Sequence, residues 1–240
     1  FEGVGLSADD LVIKISSRKV LEEVLGSLGI SGDAFAATCI IVDKMDKLPE
    51  DVVAEQLAEQ GLGADAVATI QSTLGVDDLD SLAAALGGDS AAVSELAALF
   101  DLIDSYGIAD WVAFDASVVR GLAYYTGPVF EAHDRAGQLR AICGGGRYDR
   151  LLSSLGGNDM PATGFGFGDM VIMELLMDKG LVPDLPSGNE DIVIAISEDL
   201  RSAAMSVASS LRASGRSVDL VLEDKRMKWA FRHAERTGAQ

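Results

Sequence analysis

The sequence predicts an α+β protein: an antiparallel sheet, interrupted by a helical insertion and followed by the start of a separate α/β domain. Three stretches carry that expectation. Within residues 118–148, two β-branched or aromatic runs, 128–133 and 138–143, flank Asp134-Arg135-Ala136-Gly137, a hairpin turn with glycine at its end. Residues 50–106 are rich in Ala and Leu and are divided into short helical pieces by Gly61, Gly63, Gly75, Gly87 and Gly88. Residues 183–189, PDLPSGN, have the composition of a linker, and strand and helix patterns alternate after them.

Taken in order, residues 11–16 alternate like a half-buried strand, and Val20, Leu21, Val24 and Leu25 follow at helical spacing within 17–26. Residues 35–42 read as a second helix, closed off before Pro49, because a proline disfavours helix in the residue before it. The stripes of the insertion, such as Val67, Ile70 and Leu74, or Leu96, Leu99, Phe100 and Ile103, are core faces and carry no chemistry. Residues 111–115 return to the β pattern and lead into the hairpin, and 149–155 form a short helix after it. In PATGFGFGDMVIMELL, Gly164, Gly166 and Gly168 alternate with Phe165 and Phe167, a strand with one bare and one apolar face, and Asp169 opens a helix running to Met177. The spacing is GxGxG without βαβ surroundings, so no dinucleotide site is expected. Past the linker come a strand over 192–196, a helix over 200–214, a strand over 218–222 and a basic amphipathic helix over 225–237, the start of a parallel crossover.

Hydrophobic residues make up 48% of the 240, ample for a real core. No apolar run reaches the roughly 20 residues that span a bilayer, and FEGVGLSADD lacks the halves of a signal peptide. Cys39 and Cys143 read as buried free thiols; with no CxxC and no histidine at ligand spacing, no bound protein metal is expected. Acidic side chains number 38 against 19 basic ones, a net charge of −19, so the average surface repels a polyanion and any RNA contact must be local. The most basic candidate is the last helix, with Lys225, Arg226, Lys228, Arg232 and Arg236.

Chemistry gathers at the hairpin. Arg120, Tyr124 and Tyr125 stand where the chain enters it, and Gly144, Gly145 and Gly146 where it leaves, their missing side chains allowing another molecule to lie against the backbone. A cation, two phenols and a bare strand end are expected to form the floor of a small-molecule pocket.

These residues resemble the histidyl-tRNA synthetases, which are class II aminoacyl-tRNA synthetases. RGLAYYTGPVFE is similar to the family's first histidine-specific motif, AICGGGRYDRLLSSLGG to its second, and GFGFGDMVIMELL stands where class II motif 3 belongs. IKISSRKVL, IVDKMDKLPED and NEDIVIAI fall in the family's order, and Ala123, GFGFGD and MKW at 227–229 resemble plant organellar or cyanobacterial variants. The resemblance implies the carboxy-terminal part of such an enzyme: an incomplete class II antiparallel catalytic core over 1–182 with its insertion at 50–106, a linker over 183–189, and the start of an anticodon-binding α/β domain over 190–240. It implies ATP-dependent activation of histidine as the adenylate and transfer to tRNA(His), with Mg2+ accompanying ATP. Arg120 becomes the catalytic cation; Tyr124, Tyr125, Gly144 and Gly145 hold histidine; Gly164, Gly166 and Gly168 make room for ATP.

A homodimer built through an upstream segment and a chloroplast or mitochondrial location, with cytoplasm as the alternative, are implied in the same way. Two departures stand out. Ala123 replaces the usual Asp, and Asp169-Met170-Val171 stands where motif 3 carries its γ-phosphate arginine. Motifs 1 and 2 belong upstream of Phe1, so this stretch is not expected to be active alone. The competing reading is a catalytically silent paralogue serving as a regulatory or structural subunit.

Overall fold

The computed structural model describes residues 1–45, 48–122, 124–183 and 188–239, leaving aside the side chains of residues 33 and 50. Part of the IVDKMDKLPED motif, Ala123 and most of the expected linker therefore lie outside the described residues. The chain divides into two compact units, Phe1–Val182 and Pro183–Gln240.

The first unit is built on a five-stranded sheet in the order β2-β1-β3-β4-β5. Its strands are β1 (Leu11–Ser17), β2 (Val112–Phe114), β3 (Pro128–Asp134), β4 (Cys143–Tyr148) and β5 (Ala162–Phe167). Only β2 runs parallel to its neighbour β1; the other pairs are antiparallel. Ser17 ends β1 and its hydroxyl accepts from the Lys19 amide, capping α1 (Arg18–Ser27), so the strand turns directly into the helix. α2 (Gly32–Val42) follows.

The expected helical stretch folds as α3 (Glu50–Glu59), α4 (Ala64–Leu74), α5 (Leu79–Leu86) and α6 (Ala91–Ser105). Asp78 and Ser90 cap the last two of these through the amides of Ser81 and Val93. Leu57, Leu62 and Ile70 close over Leu21, Val24, Leu25 and Cys39, while Leu82, Leu96 and Ile103 pack on Ile15, Val20 and Phe114. Each such fully buried leucine is worth roughly 1.5–3 kcal/mol, which is how pieces too short to be helical alone are held. A four-residue helix α7 (Leu151–Ser154) and α8 (Asp169–Asp178) complete the unit, the latter packing Leu175 and Leu176 on Leu11, Ala132 and Ile142.

The hairpin differs from the sequence-based expectation. Its second strand is β4, over residues 143–148, and not 138–143. The cause is Asp134, which is buried and accepts from the amides of Gln138 at 3.0 Å and Leu139 at 2.9 Å, holding residues 138–142 in a connection. The glycine triplet thus lies inside a strand, and is not a bare strand end.

The second unit contains β6 (Asp191–Ile194), α9 (Arg201–Ala213), β7 (Val218–Val221) and α10 (Met227–Thr237), with β6 and β7 parallel. Arg216 clamps the start of β6 through both carboxylate oxygens of Asp191, at 2.5 and 2.9 Å. On α10 the His233 imidazole stacks on Trp229 and meets Asp219 of β7 at 3.0 Å.

Candidate active site

Sheet register sorts the residues of the first unit onto two faces. Lys14, Glu131, Gly144 and Gly166 lie in one row across β1, β3, β4 and β5, and Ser16, Val129, Gly146 and Gly164 in the next. Because side chains alternate along a strand, Ile15, Phe130, Gly145 and Phe165 belong to the opposite face. One face is polar and glycine-rich; the other is apolar.

Arg120 leaves the loop before β3 with φ 53, a left-handed conformation that costs a side-chain-bearing residue roughly 1–3 kcal/mol. The buried Arg18, whose guanidinium lies 4.9 Å from the centre of the Phe35 ring, donates to the Arg120 carbonyl at 3.5 Å. That backbone carries the Arg120 side chain over Gly144, where a Cβ would collide with its Nη1 and come within 2.9 Å of its Cζ. The guanidinium donates to Glu131 Oε1, and Glu131 Oε2 meets His133 Nε2 at 3.0 Å. Arg120 therefore has a carboxylate partner inside the fold, and its side chain still keeps 24% exposure toward the polar face.

Electrostatics follow from this chain of contacts. Burial works to raise the Glu131 carboxyl, but His133 and Arg120 outweigh it and hold the group below the usual carboxylate range. Burial likewise works against the Arg120 cation, and Glu131 more than offsets it, so the guanidinium is held more firmly charged. The result is a fixed, permanently charged group.

Tyr125 is buried, and its ring lies against Gly146, where a Cβ would approach its Cδ1 and Cε1 to 2.9 Å. Burial, then Tyr124, push the Tyr125 phenol up, with Arg120 opposing, so it is neutral at physiological pH and can both donate and accept. Tyr124 and Tyr148 complete a cluster with ring centroids 4.7 and 5.4 Å apart from Tyr125 to Tyr124 and from Tyr124 to Tyr148. The Tyr148 hydroxyl occupies the space over Gly164. Over Gly166, a Cβ would meet nothing within 4 Å.

Arg120, Tyr124, Tyr125, Gly144, Gly164 and Gly166 line one cavity of about 390 Å3. Two glycines expected there lie elsewhere. Gly145 faces the apolar side, where a Cβ would sit 2.5 Å from Phe165 Cβ, and Gly168 is the residue before α8, packed on the Ile142 carbonyl and Val171. The other glycines also act differently from expectation: Gly144, Gly146 and Gly164 make room for Arg120, Tyr125 and Tyr148, leaving Gly166 as the open floor. On the far side of Arg120 is a second cavity of about 810 Å3, whose walls include Lys14, Glu131, His133 and Arg140. The apolar face has a hollow of about 640 Å3 lined mainly by apolar residues such as Ile13, Ile15, Leu99 and Phe130, with Arg147 and Thr163 at its wall.

Glu131, His133 and Tyr148 are not among the site residues expected from the sequence. Period-two alternation would have found all three: Glu131 and His133 share a face of β3, and Tyr148 lies two residues beyond Gly146. Both cysteines are buried and free, and burial pushes the Cys39 thiol up to about 11. Asp169 Oδ1 accepts from the Met170 amide at 2.9 Å at the positive end of α8, so the first residue of that helix brings an anion and not a cation.

Comparison with known proteins adds independent findings. Residues 2–169 match the model of the histidyl-tRNA synthetase family, and residues 191–240 match the anticodon binding domain. The histidine–tRNA ligase, chloroplastic/mitochondrial, of Arabidopsis thaliana is 51% identical over 240 residues, which is all of this chain and 49% of that protein. The histidine–tRNA ligase of Opitutus terrae is 37% identical over 98% of this chain and 55% of its own length. The crystal structure of histidyl-tRNA synthetase from Nostoc sp. PCC 7120 superposes with a TM-score of 0.66 at 28% identity, covering 99% of this chain and 58% of that one. The chain thus spans about half the length of the curated relatives it matches.

Proposed function

The chain belongs to the histidyl-tRNA synthetase family, and from that membership we propose that it supplies the histidine- and ATP-holding floor of a histidine–tRNA ligase. In the reaction, a carboxylate oxygen of histidine attacks the α-phosphorus of ATP and pyrophosphate leaves. A ribose hydroxyl at the tRNA end then attacks the carbonyl carbon, and AMP departs. Mg2+ comes in with ATP as part of that substrate.

Negative charge builds on the α-phosphoryl oxygens in the first step. A cation already fixed beside them needs no reorganisation, an effect worth about 3–4 kcal/mol for a single preorganised donor. Arg120 is that cation. The neutral Tyr125 phenol, with Tyr124 beside it, gives the imidazole a directed partner, which separates histidine from an isostere far better than an apolar slot does. Open space above Gly166 takes the nucleoside. The observation that carries this reading is the convergence of Arg120, Tyr125 and Gly166 on one cavity.

In the second unit, Arg226 just before α10 and Lys228, Arg232 and Arg236 along it are exposed, a local basic surface on an acidic chain that suits contact with tRNA. A homodimer completed by segments outside this chain and an organellar location, as for the Arabidopsis relative, belong to the same proposal. Asp169 in place of a motif 3 cation favours the second reading, a silent paralogue acting as a regulatory or structural subunit. Histidine-dependent ATP–pyrophosphate exchange by the full-length protein separates the two. A folded protein that binds histidine but exchanges no pyrophosphate would be the paralogue.

A further inference from the structure

We propose that Arg140 binds the outer phosphates of ATP, in the cavity that adjoins the Arg120 guanidinium. The inference rests on the reading of the site as an ATP site and fills a place that reading leaves open, since residues 169–171 after the bare strand β5 provide no cation.

The other basic groups around that cavity can each be followed to a partner. Lys14 is tied to Asp115 at 2.7 Å, and Arg120 and His133 share the two oxygens of Glu131. Arg140 is exposed, lines the same cavity, and makes no ion pair or side-chain hydrogen bond among the described residues. Acidic side chains outnumber basic ones 38 to 19 in this chain, so a guanidinium without a carboxylate here does not follow from any shortage of acids. Lys14 is neutralised by Asp115 and Arg120 by Glu131, which leaves the Arg140 guanidinium without a carboxylate in contact among the described residues. A polyphosphate would supply the missing counter-charge, and a planar guanidinium fork suits two of its oxygens at once.

Arg140 is also at the right end of the sheet. It stands two residues before Ile142, whose carbonyl accepts the Gly168 amide at 2.7 Å where β5 passes into α8. Gly166 of β5 is in register with Gly144 under the Arg120 guanidinium. A nucleoside on the Gly166 floor would place its first phosphate at Arg120, and the outer phosphates would continue into the cavity that Arg140 borders.

The test uses the full-length protein with Arg140→Ala and Arg140→Lys. Histidine-dependent ATP–pyrophosphate exchange gives the histidine and ATP requirements, and displacement assays give affinities for AMP, ATP and pyrophosphate. Loss of a charge-assisted phosphate contact should raise the ATP requirement of Arg140→Ala about tenfold or more, with partial recovery in Arg140→Lys. AMP, which lacks the outer phosphates, and histidine should bind as before. An unchanged ATP requirement, or equal weakening of AMP and ATP, overturns the assignment. Failure of the unaltered protein to bind ATP at all would instead defeat the ATP-site reading, and Arg140's role would fall with it.

Discussion

Gly166→Ala separates the room the fold needs from the room a ligand needs. A methyl there meets nothing within 4 Å, and φ lies outside the left-handed region, so the folded sheet has space for it. Removing glycine's freedom in the unfolded chain should then stabilise the protein by roughly 0.4–1 kcal/mol. Gly145→Ala is the contrasting control: its methyl would stand 2.5 and 2.7 Å from Cβ and Cα of Phe165, with the Gly164 carbonyl closer still, so β4 and β5 must separate. If the nucleoside of ATP lies on Gly166, the same harmless methyl intrudes into a packed contact. Overpacking of that kind costs about 1–3 kcal/mol, or roughly 5- to 150-fold in the ATP requirement. Denaturant unfolding and ATP–pyrophosphate exchange of the full-length protein read the two effects separately. An ATP requirement unmoved by Gly166→Ala would refute the floor assignment, and clear destabilisation would show that the space is not free.

Other consequences follow from the same geometry. Tyr125→Phe in the full-length protein keeps the ring packed on Gly146 but removes the hydroxyl, so the histidine requirement should rise well beyond the ATP requirement; equal rises in steady-state exchange would count against the phenol's role. Asp10 pairs with Lys179 at 2.6 Å, and that contact, with Ser7, lowers its pKa from 3.8 to about 2. Since the folded value lies below the unfolded one, this contribution to stability is complete above pH 3.8 and disappears as pH falls toward 2. Carboxyl NMR should find that low midpoint, and Lys179→Met should return it toward 3.8; a midpoint already near 3.8 would mean the pair does not form in solution. Charge reversal at Lys228 and Arg232 of the full-length protein should weaken tRNA binding and flatten its salt dependence, while an unaltered binding isotherm would remove α10 from the RNA surface.

Much of the architecture could be read from residue patterns alone. The strand-to-helix step at Ser17, the short helices between residues 50 and 105, the alternation of Gly164 and Gly166 with Phe165 and Phe167, and the β-α-β order of residues 191–221 depend on local signals of capping and periodicity. Resemblance of the Arg120 and Gly144 motifs to one family was equally a property of the chain in order. What failed was pairing. A hairpin drawn from β-branched runs placed its second strand five residues early, because the decisive interaction was a buried carboxylate, Asp134, claiming backbone amides.

Residue types at Gly144, Gly145 and Gly146 announced a need for space, but not whose. The register of β3, β4 and β5 decided that: Gly144 yields to Arg120, Gly146 to Tyr125, Gly145 to the opposite strand, and Gly166 to none of the described side chains. Glu131 links Arg120 to His133 because the loop before β3 brings the guanidinium back over that strand. Periodicity along a strand says which residues share a face, since it is set by the bonds of one chain. Which side chain fills the space above a glycine depends on neighbours distant in sequence, and only the assembled sheet brings those together.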